Sequence, residues 1–204
     1  MVKTYRRGKI PFQEATHCIF CGSPDLTAEH IFSRWTHRFL PPRSMRKYHV
    51  VRVDAQINRS DRFLIKRLGD IRDWKIPCVC EKTCNNGWMR QRIENLARPI
   101  MIPLISGDAS LKGATTRILP HQQKIIATWA VLKAMVAEYD PQSWVTTHHM
   151  QRQYLRRLAA PPPHGWAVWI GPYIRGNWLP HWGSFPFLYV SLYSGHKFSG
   201  AAFR

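Results

Sequence analysis

Apolar positions recur along this chain with two periods, and the change of period marks out its elements. Ile31, Trp35 and Phe39 fall at helical spacing in a run that stops at Pro41-Pro42. Between Tyr48 and Ile57 the apolar Val51, Val53, Ala55 and Ile57 alternate with Arg52, Asp54 and Gln56, which predicts a strand. Arg62 to Leu68 is placed to pair with it across Asn58-Arg-Ser-Asp. Trp88, Met89, Ile93 and Leu96 predict a helix that starts at Asn85 or Asn86 and ends before Pro99. The clearest helix opens at Pro120 and closes at Asp140-Pro141, with Ile125, Trp129, Leu132 and Val136 along one face. Thr146 or Thr147 is positioned to cap another helix that runs to Leu158. From Gly165 onward, aromatic and branched residues alternate with Gly and Pro, which predicts short strands. The aromatics between Trp166 and Phe198 read first as the core of a small sheet, and only second as a base-stacking surface.

These elements predict an α+β chain in two parts, divided near Pro99: residues 12–98, and a C-terminal α+β extension over residues 99–204. Its 204 residues, 45% of them hydrophobic, are enough to build a core. The best apolar stretch, Ile125 to Leu132, is cut by Lys133 and is too short to span a bilayer. No apolar segment follows Met1-Val-Lys-Thr-Tyr-Arg-Arg, so a cytoplasmic location is expected.

Charge adds a partner. Thirty Lys and Arg against 12 Asp and Glu give a formal charge of +18, a field whose usual target is a polyanion. The excess is concentrated in Arg34, Arg38, Arg43, Arg46, Lys47, Arg52, Arg59, Arg62, Lys66 and Arg67, a stretch whose only acids are Asp54 and Asp61. No basic helix pairs these charges with a clean apolar face, so nucleic acid, rather than a membrane surface, is the expected ligand. The C-terminal part is a candidate surface for a protein partner.

All five cysteines lie in the first part. Cys18-Ile-Phe-Cys21-Gly is a knuckle whose glycine lets the loop fold back so that both sulfurs face one ion, and Cys78-Val-Cys80-Glu-Lys-Thr-Cys84 follows about sixty residues later. Two such clusters suit a tetrahedral zinc ion held by Cys18, Cys21, Cys80 and Cys84. Cys78 is the substitute for Cys80, or otherwise a small buried hydrophobe. Between the knuckles stands Glu29-His30. A neutral imidazole can take a proton from water, and an adjacent carboxylate can hold a hard cation through oxygen. Asn85 or Asn86, at the mouth of the second knuckle, offers an amide oxygen to the same ion.

Taken together, Cys-x2-Cys-Gly, Glu-His-Ile-x-x-x-Trp and Cys-Asn-Asn-Gly-Trp-Met resemble the zinc-stapled HNH endonucleases of bacteria and phages, over roughly residues 12–98. The resemblance implies a ββα-metal fold and metal-dependent hydrolysis of phosphodiester bonds in DNA. His30 would be the general base; Glu29 and Asn85 would hold Mg2+ or Mn2+. The chain departs from the family in three ways. Glu29 stands where Asp is usual, the second knuckle is C-x3-C, and the family's middle Asn has only Asn58 as a candidate. The alternative expectation is a zinc-stabilised nucleic-acid-binding module whose catalytic centre is degenerate.

Overall fold

The computed structural model describes residues 14–39, 48–54, 62–68, 70–106, 117–140, 147–163, 166–171, 187–194 and 197–202. Its strands form three antiparallel sheets, and helices join two of the chain's regions into one core, so the class is α+β. Strands β1 (Leu26–His30) and β4 (Lys75–Cys80) pair with each other although 44 residues separate them (31 to 74), and β2 (Tyr48–Asp54) and β3 (Arg62–Leu68) form a separate hairpin within that gap. The β2–β3 pairing predicted from alternation is present, with Val51 opposite Ile65 and Val53 opposite Phe63. Neither β1 nor β4 is announced by period. Their register shows why: Thr27 faces Val79 and Ala28 faces Pro77, which leaves Cys78 as an extra residue in a bulge. The bulge breaks the alternation, and Cys78, Val79 and Cys80 are buried in succession. Pro77 has no N–H for the ladder, so a bulge is a natural place for it.

After Cys80 the chain enters a helical segment, Glu81–Glu94, in which two helices meet at a kink at Gly87, and it continues as α1 (Asn95–Ser106). The helix therefore starts earlier than Asn85 and passes through Pro99 and Pro103 instead of stopping. The carbonyls that these two prolines leave without a partner belong to Asn95 and Pro99, both exposed residues, where water can take the bond. Buried Ile93, Ala97 and Met101 hold the opposite face. At Gly87 the backbone leaves helical geometry (φ −85°, ψ −118°), and a Cβ there would lie 2.8 Å from the Lys82 carbonyl oxygen.

Helix α2 (Pro120–Ala137) begins at a proline, as predicted, and Gln122 caps it by accepting from the Leu119 N–H at 2.9 Å. Helix α3 (His149–Leu158) is capped by His148, whose Nδ1 accepts from the Met150 N–H at 3.3 Å. Thr147, a predicted cap, instead donates its hydroxyl to Glu138. The run that begins at Ile31 forms, within the described residues, not an α-helix but a short 3-10 helix, Arg34–Phe39. The final part is an antiparallel meander of β5 (Trp166–Gly171), β6 (Phe187–Ser194) and β7 (Lys197–Ala202), in line with the predicted short strands.

One buried cluster crosses Pro99. It contains Phe20, Ile31, Ile76, Trp88 and Met89 together with Ile126, Trp129, Leu132 and Val136. Polar ties reinforce it: Trp74 Nε1 donates to Asp140 at 2.8 Å, and Gln153 on α3 donates to the Phe20 carbonyl, inside the first knuckle, at 2.8 Å. Among the described residues no helix is long and apolar enough to cross a membrane.

Candidate metal centre

The first knuckle folds as its glycine implies. Gly22 takes a left-handed φ of +75°, its N–H donates to the Cys18 carbonyl at 2.8 Å, and the Cys18 N–H donates to the Ser23 carbonyl at 2.8 Å. The Ile19 N–H then donates to the Cys78 carbonyl at 3.0 Å, which fastens the knuckle to the bulge of β4. The second pair is made differently. Cys80 ends β4 and caps the helix, and Cys84 follows four residues on, where a helix returns a side chain to the same face. A C-x3-C spacing is what a strand-to-helix junction requires.

All four sulfurs, of Cys18, Cys21, Cys80 and Cys84, lie within 4.8 Å of one another. Cys18 and Cys84 are 3.6 Å apart, and Cys21 and Cys80 are 3.3 Å apart. No disulfide joins them. A tetrahedron with metal–sulfur bonds of about 2.3 Å has edges of roughly 3.8 Å, so this donor set fits one soft metal ion such as zinc. Contact with Cys84 brings the Cys18 thiol down to about 4, and the same contact pushes Cys84 up. Cys78 is fully buried in the core and outside the cluster, and burial pushes its thiol up.

At the other end of the β1–β4 pair lies a second polar centre. Glu29 and His30 are neighbours on β1, and strand alternation sends them different ways. Glu29 is only 6% exposed, and its carboxylate pairs with Lys133 from α2, itself 4% exposed. The same ammonium pairs with Glu94 at 2.7 Å and donates to the His30 carbonyl at 3.0 Å. Ser33 donates its hydroxyl to Glu94 and accepts from Trp129 Nε1 at 3.3 Å. Burial alone would raise the Glu94 carboxyl, but Lys133 and the hydrogen bonds from Lys133 and Ser33 hold it below the usual carboxylate range. Burial likewise opposes the charge of Lys133, yet Glu29 and Glu94 outweigh it and hold the ammonium above the ordinary lysine value.

His30 is half-buried. Its ring stands edge-to-face with that of His37, with centroids 5.4 Å apart, and its cross-strand partner is Lys75. Burial first, and then Lys75, Arg34, His37 and Lys133, push His30 down to about 4, so the imidazole is neutral at pH 7. His37 is oriented by its Nε2, which lies 2.9 Å from the Phe32 carbonyl.

No family model, no curated protein and no solved structure matches the chain. The geometry therefore stands by itself.

The four predicted sulfur ligands are together, and Glu29 and His30 are adjacent. Asn85 is half-buried beside Cys84; among the described residues the partners of the Glu29 carboxylate are Lys133 and, through it, Glu94, and Asn85 is not one of them. Arg34 and Arg38 are exposed. Arg52, Arg62, Lys66 and Arg67 are on β2 and β3, where Arg52 pairs with Leu64, Arg62 with Asp54, Lys66 with Val50 and Arg67 with His49. Arg43, Arg46, Lys47, Arg59 and Asn58 lie outside the described residues.

Sequence reasoning misses Glu94, Lys133, Ser33 and His37. One signal was present: Lys133 interrupts the most apolar run of the chain, and a buried lysine needs an acid.

Proposed function

We propose that this chain is a metal-dependent endonuclease of the HNH type that hydrolyses phosphodiester bonds in DNA on a zinc-stapled ββα-metal scaffold. The observation that carries the proposal is the meeting of two carboxylates, Glu29 from the strand and Glu94 from the helix, beside a neutral imidazole. The cation seated between them is Lys133, and it serves as a stand-in: the two carboxylates and the His30 carbonyl form an oxygen set suited to a hard ion.

In this reading Glu29 and Glu94 would hold Mg2+ or Mn2+, while Asn85, the amide ligand that the resemblance implies, lies beside Cys84 at the opposite end of the strand pair. The ion, when bound, neutralises charge that develops on the phosphate and the leaving oxygen. The protein's own residues do the rest. His30 takes a proton from water at a ring nitrogen, which its depressed pKa keeps free at neutral pH. Ser33 orients Glu94 through a hydrogen bond. Exposed Arg34 and Arg38, with the basic residues of β2 and β3, hold backbone phosphates, and six such contacts would give a log–log salt slope of roughly −5. Cys18, Cys21, Cys80 and Cys84 hold structural Zn2+, which joins the strand pair to the helix.

The second reading, a nucleic-acid-binding module without catalysis, is favoured by the same Lys133, because its ammonium already pairs with both carboxylates. A supercoiled-plasmid nicking assay with Mg2+, Mn2+ or EDTA separates the two. The nuclease reading expects metal-dependent nicking that falls by about 10²- to 10⁴-fold in His30→Ala, with DNA binding retained. Binding without nicking under either metal leaves the second reading standing.

A further inference from the structure

We propose that Lys133 is an internal counter-ion that competes with a divalent cation for Glu29 and Glu94, so that this pair fills only when the ammonium leaves. The inference rests on reading Glu29 and Glu94 as a cation-binding pair, and it adds a residue from the second half of the chain that controls the occupancy of that pair.

The argument begins with donors. An ammonium has three N–H groups, and Lys133 spends them on Glu29, Glu94 and the His30 carbonyl. Its shell is complete, and it leaves no room for a second cation on the inner oxygens. Charge points the same way. Two carboxylates carry −2 against the +1 of Lys133, so the buried set retains a negative charge that a divalent ion would balance. The same ion added on top of Lys133 would invert the charge in a site whose side chains are 4% (Lys133), 7% (Glu29) and 20% (Glu94) exposed. Exchange is therefore favoured over addition. Lys133 also stands on α2, next in sequence to buried Leu132, and its bonds to Glu29, Glu94 and the His30 carbonyl join that helix to β1 and to the helix after Cys80, so its departure removes a tie that docks α2 on the site. Cation loading and the seating of α2 are thereby linked.

The test is Mn2+ binding to the zinc-loaded full chain, read by electron paramagnetic resonance and by melting temperature. Lys133→Met keeps the stem and removes the charge. It is expected to bind Mn2+ at least about tenfold more tightly than the native chain, since a unit charge has left the contact shell. Its melting temperature is expected to rise with Mn2+ more than that of the native chain. The gain should vanish in Glu29→Gln/Lys133→Met. Equal Mn2+ affinity in Lys133→Met and the native chain overturns the proposal.

Should Lys133→Met fold only with Mn2+ present, the proposal is supported. Should it not fold at all, the native chain with 15N-labelled lysine decides. A protected Nζ signal that moves as Mg2+ is raised to millimolar supports exchange, and one that stays in place overturns it. Failure here is distinct from failure of the nuclease reading. A tighter Mn2+ site without nicking sinks only the enzyme, whereas metal-dependent nicking with unchanged Mn2+ affinity sinks only the competition.

Discussion

The two ends of the β1–β4 pair solve the same problem, buried charge, by opposite means. At the Cys80 end, four thiol groups gather on two short motifs as a set that an external ion can hold. At the His30 end, the ion is built in. Two acids and one lysine from three elements pair with one another within the core. The difference teaches that a ligand set can be local in sequence while a charge network is not. The knuckles, 18–21 and 80–84, are four and five residues long, whereas Glu29, Glu94 and Lys133 are spread over 105 positions (29 to 133). The cysteine end is therefore expected to depend on metal for its stability, and the glutamate end on the docking of α2.

The largest effect should come from the cysteine end. Structural zinc in finger peptides is worth about 10–16 kcal/mol of apparent binding energy, so Cys18→Ser should lose its bound zinc and its cooperative melting transition. Elemental analysis and circular dichroism would show it, and a variant that kept both would remove the cysteines from the account of stability. A middling effect is expected at the joint between the two ends. Gly87 lies on the helix between Cys84 and Glu94, and the added methyl of Gly87→Ala meets the Lys82 carbonyl at 2.8 Å. The backbone must shift, at a cost of about 1–3 kcal/mol in urea unfolding; an unchanged midpoint would mean that the kink is not imposed by that contact.

The smallest effect concerns His30. Its folded-state pKa, about 4, lies below the ordinary 6.5, so the folded chain disfavours the charged ring. The stability that this contributes is present above about 6.5 and lost as pH falls toward about 4, since the unfolded chain takes up the proton first. The ring is half-buried, and the solvent that still reaches it screens part of the effect. A native chain whose unfolding midpoint falls between these pH values, beside a His30→Gln variant that falls less, would bear this out; parallel curves would count against it.

Legibility followed the range of the interactions. The β2–β3 hairpin, the start of α2 and the strands after Gly165 could be read because one alternating or helical pattern governs each. Strands β1 and β4 could not, because a bulge at Cys78 and a proline at position 77 disrupt the period over only five or six residues. The helix passed through Pro99 because the freed carbonyls are at the surface, which is a property of packing and not of the proline.

The chain by itself put forward Cys18, Cys21 and Cys84, with Cys80 ahead of Cys78 as the fourth sulfur, and the fold placed Cys80 in the cluster and Cys78 in the core. The chain also placed Glu29 beside His30, by covalent adjacency. Only the folded molecule decided which way each of them faces. Glu29 turns inward because α2 brings a lysine that would otherwise be buried without an acid, and Glu94 completes the pair because the helix after Cys84 runs the length of the strands. Burial makes those choices: a charge taken out of water must find its opposite, and which opposite is within reach depends on segments that meet only when the core closes.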